Sequence, residues 1–132
     1  MFATIVLPAY NEEESIGALL GEIRNEIQSL PVREILVVDD GSTDRTADVA
    51  RATRAVVPEL RLLRHSRRSG QSRALVSGVR AARHEWVATL DGDGQNDPAD
   101  IPALVAAALA APDVRLVMGN RVTRRDTWLR RL

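Results

Sequence analysis

The chain contains no cysteine and no lysine among its 132 residues. Without cysteine there is no disulfide scaffold and no thiolate zinc site. Without lysine there is no P-loop, because the lysine that reaches the phosphates is missing. A G-x-G-x-x-G turn is also missing after the first apolar run, which argues against a nicotinamide or flavin enzyme. No apolar run approaches the roughly 18–20 residues of a membrane-spanning helix. No signal peptide precedes Met1-Phe2-Ala3, so the chain reads as soluble and intracellular. Its 18 basic residues, all arginine, balance 18 acids. Net charge therefore gives no sign of a nucleic-acid partner. Repeats, low-complexity tracts and linkers are absent as well. Residues 1–132 read as a single domain, long enough to bury a core.

What is present is an alternation of short apolar runs and helix-periodic segments. Thr4 to Leu7 reads as a first strand, stopped by Pro8. Ile16, Leu19, Leu20, Ile23 and Ile27 recur at helical spacing. Glu12, Glu13 and Glu14 lie in or just before that helix's first turn, where negative charge suits the helix dipole. A second strand spans Glu34 to Val38, a second helix Arg45 to Arg54, and a third strand Leu60 to Arg64. Leu75, Gly78, Val79 and Ala82 stripe a third helix, and a fourth strand ends at Leu90. Asp97-Pro98 is a helix start, a cap followed by proline at the first helical position. Ile101, Leu104, Val105 and Ala108 face the core from that helix, and Val114 to Met118 reads as a fifth strand. Such alternation predicts an α/β fold, a mostly parallel Rossmann-like sheet with helices on both faces.

Three polar clusters then fall at strand ends: Pro8 to Glu12, Asp39 to Asp44, and Asp91 to Gln95. They should share one edge of the sheet, which is where open α/β sheets bind ligands. Asp91-Gly92-Asp93-Gly94 carries the most chemistry. Its glycines let the backbone turn sharply and approach a ligand. Two carboxylates with no histidine or cysteine nearby suit a hard cation, Mg²⁺ or Mn²⁺, held together with substrate phosphates. An acid at the end of the second strand, Asp39 or Asp40, stands where Rossmann-like folds bind a ribose. Ser42, Thr43 and Asp44 supply helix-capping side chains beside it. His65 and His84 lack metal-ligand spacing and read as surface or loop residues.

Taken together, Ile5-Val6-Leu7-Pro8-Ala9-Tyr10-Asn11-Glu12, Val37-Val38-Asp39-Asp40-Gly41-Ser42-Thr43-Asp44 and Asp91-Gly92-Asp93 resemble the family 2 glycosyltransferases of GT-A fold. The order and spacing cover nearly the whole chain. Asp91-x-Asp93-x-Gln95 before Asp97-Pro98, and Gly119-Asn120-Arg121 with Arg124, Arg125 and Asp126, resemble the branch that uses polyprenyl phosphates. That branch includes dolichyl-phosphate mannose synthases and undecaprenyl-phosphate sugar transferases.

The resemblance implies roles by position. Pro8, Tyr10 and Glu12 would line the nucleotide pocket, and Asp39, with Asp40 nearby, would contact base or ribose. Asp91, Asp93 and Gln95 would hold the metal, and through it the diphosphate of a UDP- or GDP-sugar. Arg121 and Arg124 would face the acceptor phosphate. The implied reaction is a single, inverting displacement by a phosphate oxygen at the anomeric carbon. A lipid monophosphate, with a second pKa near ~6, is largely dianionic at neutral pH and needs no strong general base.

A family 2 transferase with a sugar-hydroxyl acceptor, or an inactive nucleotide-sugar-binding fragment, are the alternatives. A HAD-like phosphohydrolase wants an aspartate nucleophile at the first strand and a downstream lysine, and neither is present. Many family members carry lysine in the segment matching Ser69-Gly70-Gln71-Ser72-Arg73, where this chain has Gln71 and Arg73. The chain reads as the donor-binding part of a longer enzyme. That enzyme would be cytoplasmic, at the inner face of the membrane, with its acceptor side beyond Leu132.

Overall fold

A computed structural model describes residues 2–92, 96–111, 113, 115 and 117. Four strands, β1 (Ala3–Ala9), β2 (Val32–Asp39), β3 (Leu60–Arg64) and β4 (Trp86–Thr89), form a parallel sheet in the order β3-β2-β1-β4. The helices are α1 (Ile16–Ile27), α2 (Thr46–Thr53), α3 (Gln71–Ala81) and α4 (Ile101–Ala110), the last entered through a 3₁₀ turn at Pro98–Asp100. The fifth strand expected over Val114 to Met118 lies largely outside the described residues. Among the described residues, no helix is long and apolar enough to cross a membrane.

The central strands read as near-continuous apolar runs because both faces are covered, as parallel sheets require. Ile5, Leu7 and Ala9 of β1 point to one face, where they meet Ile16, Leu20 and Ile23 of α1 and Ile101 and Val105 of α4. Val49 of α2 packs against the same cluster. Val6 of β1, with Leu36 and Val38 of β2, points to the other face and meets Ala74 of α3. All five apolar positions assigned to the first helix are buried.

Two details differ from the sequence reading. Pro8 does not stop β1, which runs on to Ala9 with Pro8 opposite Val38. The Pro8 carbonyl accepts the Gly92 N–H at 3.1 Å, so Pro8 turns its ring nitrogen toward β4. There the missing N–H costs little, because β4 has already ended at Thr89. On α3 the core-facing pair is Ala74 and Gly78, while Val79 is half exposed and Ala82 lies just past the helix end. Small residues face the sheet here because α3 lies close against the stiff β-branched side chains of Val6 and Val38.

The sheet's opposite end, at the strand starts, is tied by a buried acid. Glu34 accepts hydrogen bonds from Thr4 Oγ1 at 2.9 Å, Arg61 Nη1 at 2.5 Å and the Arg83 N–H at 3.1 Å. Burial pushes its carboxyl up, but these donors outweigh that and hold it below the ordinary carboxylate range.

A Cβ at Gly78 would run into Val6 Cγ1 and sit 3.1 Å from Val38 Cγ2. Gly78→Ala gains about 1 kcal/mol of helix propensity, but overpacking costs about 1–3 kcal/mol. We expect a net loss of about 1 kcal/mol by urea unfolding. A more stable variant would show that α3 can lift away from the sheet freely.

Candidate functional site

The loops leaving β1 and β2 are zipped together at the carboxyl edge of the sheet. The Asn11 N–H donates to Ser42 Oγ at 2.9 Å, and Asn11 Oδ1 accepts the Thr43 N–H at 2.9 Å. Asn11 adopts a left-handed backbone, φ 52°, which asparagine tolerates better than most residues. The Glu12 N–H donates to Thr46 Oγ1 at 2.8 Å. Asp44 Oδ1 accepts from both the N–H and Oγ1 of Thr46, at 2.9 and 2.5 Å, and so caps the start of α2. Burial raises the Asp44 carboxyl, but the Thr46 and Glu13 donors outweigh it and bring it below its ordinary value.

Asp39 and Asp40 part company at the end of β2. Asp39 is fully buried. Its Oδ1 accepts the Ser42 N–H at 3.0 Å, and Arg64 Nε lies 3.1 Å from Oδ2. Asp40 is nearly buried and turns to the other side. It accepts the Ser69 and Gly70 N–H groups at 2.8 and 2.9 Å, and His65 Nδ1 lies 2.8 Å from Oδ1. Burial pushes the Asp40 carboxyl up, yet the His65, Ser69 and Gly70 donors hold it below the ordinary aspartate range. Gly41 allows this divergence. Its φ is +73°, and a Cβ there would lie 2.5 Å from the backbone at Arg67 and Arg68.

The third cluster comes in over the end of β1. A Cβ on Gly92 would lie 2.7 Å from the Pro8 carbonyl oxygen, so only glycine lets the chain pass this close. The Asp91 N–H donates to Asn96 Oδ1 at 2.8 Å, and Asp91 Oδ1 accepts from Gln71 Nε2 at 2.7 Å.

One cavity of about 270 Å³ results. Its walls carry Pro8, Tyr10, Glu12, Asp40, Asp91 and Gly92 from the three strand ends. Asp39 does not line it. Asp93, Gln95, Arg121 and Arg124 lie outside the described residues. The wall also carries Arg68, Gln71 and Ala74, which the sequence reading did not place there. The Arg68 guanidinium stacks over the Tyr10 ring, 4.2 Å from its centroid. His65, read from sequence as a surface or loop residue, is mostly buried between Asp40 and Ser77 Oγ, the latter 2.8 Å from Nε2. His84 packs edge-on to Phe2, next to the first residue of β1 and away from the cavity.

A divalent ion fits the donor chemistry here. Asp91 supplies a hard carboxylate at the wall. Among the described residues, no three His, Cys, Asp or Glu side chains cluster as a complete metal site.

Known proteins resemble this chain in sequence and in fold. The sequence model of glycosyl transferase family 2 matches residues 4–131. A dodecaprenyl-phosphate galacturonate synthase of Rhizobium johnstonii is 40% identical over 127 residues, covering 93% of this chain and 37% of that protein. An undecaprenyl-phosphate 4-deoxy-4-formamido-L-arabinose transferase of Aeromonas hydrophila is 38% identical over 130 residues, covering 97% of this chain and 39% of that one. The chain thus spans about two fifths of the length of these curated relatives. Among solved structures, mannosyltransferase PcManGT from Pyrobaculum calidifontis in complex with GDP-Man and Mn²⁺ matches with TM-score 0.72 and 32% identity. That match covers 85% of this chain and 33% of the mannosyltransferase. Glucosyl-3-phosphoglycerate synthase from Mycobacterium tuberculosis, in complex with Mn²⁺, UDP and glucosyl-3-phosphoglycerate, matches with TM-score 0.66 and 28% identity. There the coverage is 82% of this chain and 39% of the synthase.

Asp40 gives a test of the site's frame. Its folded pKa is lowered, so its stabilising contribution is present above the unfolded value near ~3.9. That contribution is lost as pH falls through the still lower folded value. Asp40→Asn should cost about 1.5–3 kcal/mol at pH 7, the range for hydrogen bonds to a charged group. It should also flatten the acid limb of the stability curve below about pH 4. Chemical unfolding at several pH values would detect both, and an unchanged acid limb would assign that limb to other carboxylates.

Proposed function

The chain belongs to glycosyl transferase family 2, and from that premise we propose that it forms the donor-binding part of an inverting sugar transferase. The donor is a nucleotide-sugar, UDP- or GDP-linked, bound with Mg²⁺ or Mn²⁺. The acceptor is a polyprenyl phosphate at a membrane surface. The fold is the GT-A-like α/β arrangement of its structural neighbours. The observation that carries the reading is the convergence of three strand-end clusters on one cavity with Asp91 at its wall. The named activities of the polyprenyl-phosphate relatives support the acceptor. The nucleotide and Mn²⁺ complexes of the structural neighbours support the donor and the cation.

In this reading Pro8, Tyr10 and Glu12 bind the nucleoside side of the donor, with Asp40 beside them. Asp39 works from beneath, setting the β2 exit loop through Ser42. Asp91, Asp93 and Gln95 hold the cation. When bound, that cation offsets charge developing on the departing nucleoside diphosphate. Arg121 and Arg124 hold the acceptor phosphate, whose geometry suits guanidinium forks. They position a nucleophile that is already charged, so no general base is called for.

Two variants test the two halves. Asp93→Asn should abolish the Mn²⁺-dependent part of UDP or GDP binding while the circular dichroism spectrum is kept. Full retention of metal dependence would remove Asp93 from the ligand set.

For the acceptor, Arg124→Ala in a full-length enzyme should raise KM for a short-chain polyprenyl phosphate or lower kcat, with donor KM nearly unchanged. The loss should be about 1.5–3 kcal/mol in kcat/KM, as for hydrogen bonds to charged groups. A defect confined to the donor would move Arg124 to the diphosphate. Transfer to a sugar hydroxyl but not to the lipid phosphate would replace the acceptor class.

A further inference from the structure

We propose that Gln71 is a positioning residue that aims the Asp91 carboxylate at the cation. The inference rests on the donor-site reading above.

Asp91 is held at two points. Its N–H donates to Asn96 Oδ1 at 2.8 Å, which fixes the backbone just past β4. Its Oδ1 accepts from Gln71 Nε2 at 2.7 Å, which fixes the carboxylate's rotation. Both Gln71 and Asp91 line the cavity. Gln71 reaches that place because Gly70, with φ +98°, turns the chain immediately before α3. The same Gly70 donates its N–H to Asp40. The buried aspartate at the end of β2 therefore sets where the Gln71 side chain begins.

The amide N–H of Gln71 orients one carboxylate oxygen and leaves the negative charge of Asp91 for the ion.

The test is a Mn²⁺ titration of UDP and GDP binding to the full chain. The readout is the Mn²⁺ concentration at half-saturation. If the wild type binds both nucleotides without any Mn²⁺ dependence, the donor-site reading itself fails, and the inference with it. Given that dependence, Gln71→Leu should raise the half-saturating Mn²⁺ roughly tenfold, the low end of what partners of metal ligands carry. Saturating Mn²⁺ should then restore nucleotide binding. An unchanged midpoint overturns the inference and leaves the donor site standing. A loss that saturating Mn²⁺ does not restore also overturns it, because that marks a misfolded cavity.

Discussion

The site depends on one nearly buried carboxylate, Asp40, and on the three donors that satisfy it. A charge taken out of water is costly unless hydrogen bonds replace its hydration. Asp40 meets that requirement with the N–H groups of Ser69 and Gly70 and with His65 Nδ1. Those donors come from the segment between β3 and α3, so satisfying Asp40 fixes that segment against the end of β2. Arg68 and Gln71 reach the cavity wall as a consequence. His65 is itself held from behind by Ser77 of α3, so the helix and the loop before it are registered to the same aspartate. The wall that faces the ligand is thus built outward from an acid that does not need the ligand for its own stability.

Much of the fold was legible because local chemistry and long-range packing agree. The first helix has five apolar residues at helical spacing, and burial selects those five. Asp97 before Pro98 caps as its sequence suggests, accepting the Ala99 N–H at 3.0 Å. The third strand falls at Leu60–Arg64 because Val57 and Leu60 are buried and Pro58 leaves no helix to continue. The third helix was the weaker case. Its periodicity offers two stripes, one of larger apolar residues and one of Ala74 and Gly78. The smaller stripe faces the sheet because the helix approaches so closely that Gly78 has no room for a methyl group. Nothing within the helix sequence announces that distance. It is set by Val6 and Val38, which lie 72 and 40 positions earlier by simple subtraction from 78.

The site divided the same way. Residues at strand ends follow from topology, because a parallel sheet gathers its carboxyl termini on one edge. That logic brings Pro8, Tyr10, Glu12, Asp40 and Asp91 together on one wall. It could not separate Asp39 from Asp40. Successive residues of a strand point to opposite faces, so one of the two had to be buried away from the cavity, and which one depends on the turn at Gly41. Gln71 and His65 were not legible as partners, because each meets an acid from another segment of the chain. A glutamine at the start of a helix carries no local signal of what it will hold.

The described wall of the cavity carries the carboxylates of Glu12, Asp40 and Asp91 and one guanidinium, that of Arg68. Asp40 is already compensated by its three donors, and Arg68 lies over an aromatic face. Among the described residues, the Asp91 carboxylate receives a neutral amide from Gln71. A diphosphate entering this space meets an acidic edge, and at separations of a few ångströms like charges repel by several kcal/mol at intermediate dielectric. In the proposed function, a divalent cation held with the diphosphate would turn that repulsion into attraction. The amide beside Asp91 leaves the carboxylate's charge uncancelled. An acidic wall is therefore coherent with the proposed anionic donor, provided the cation binds with it.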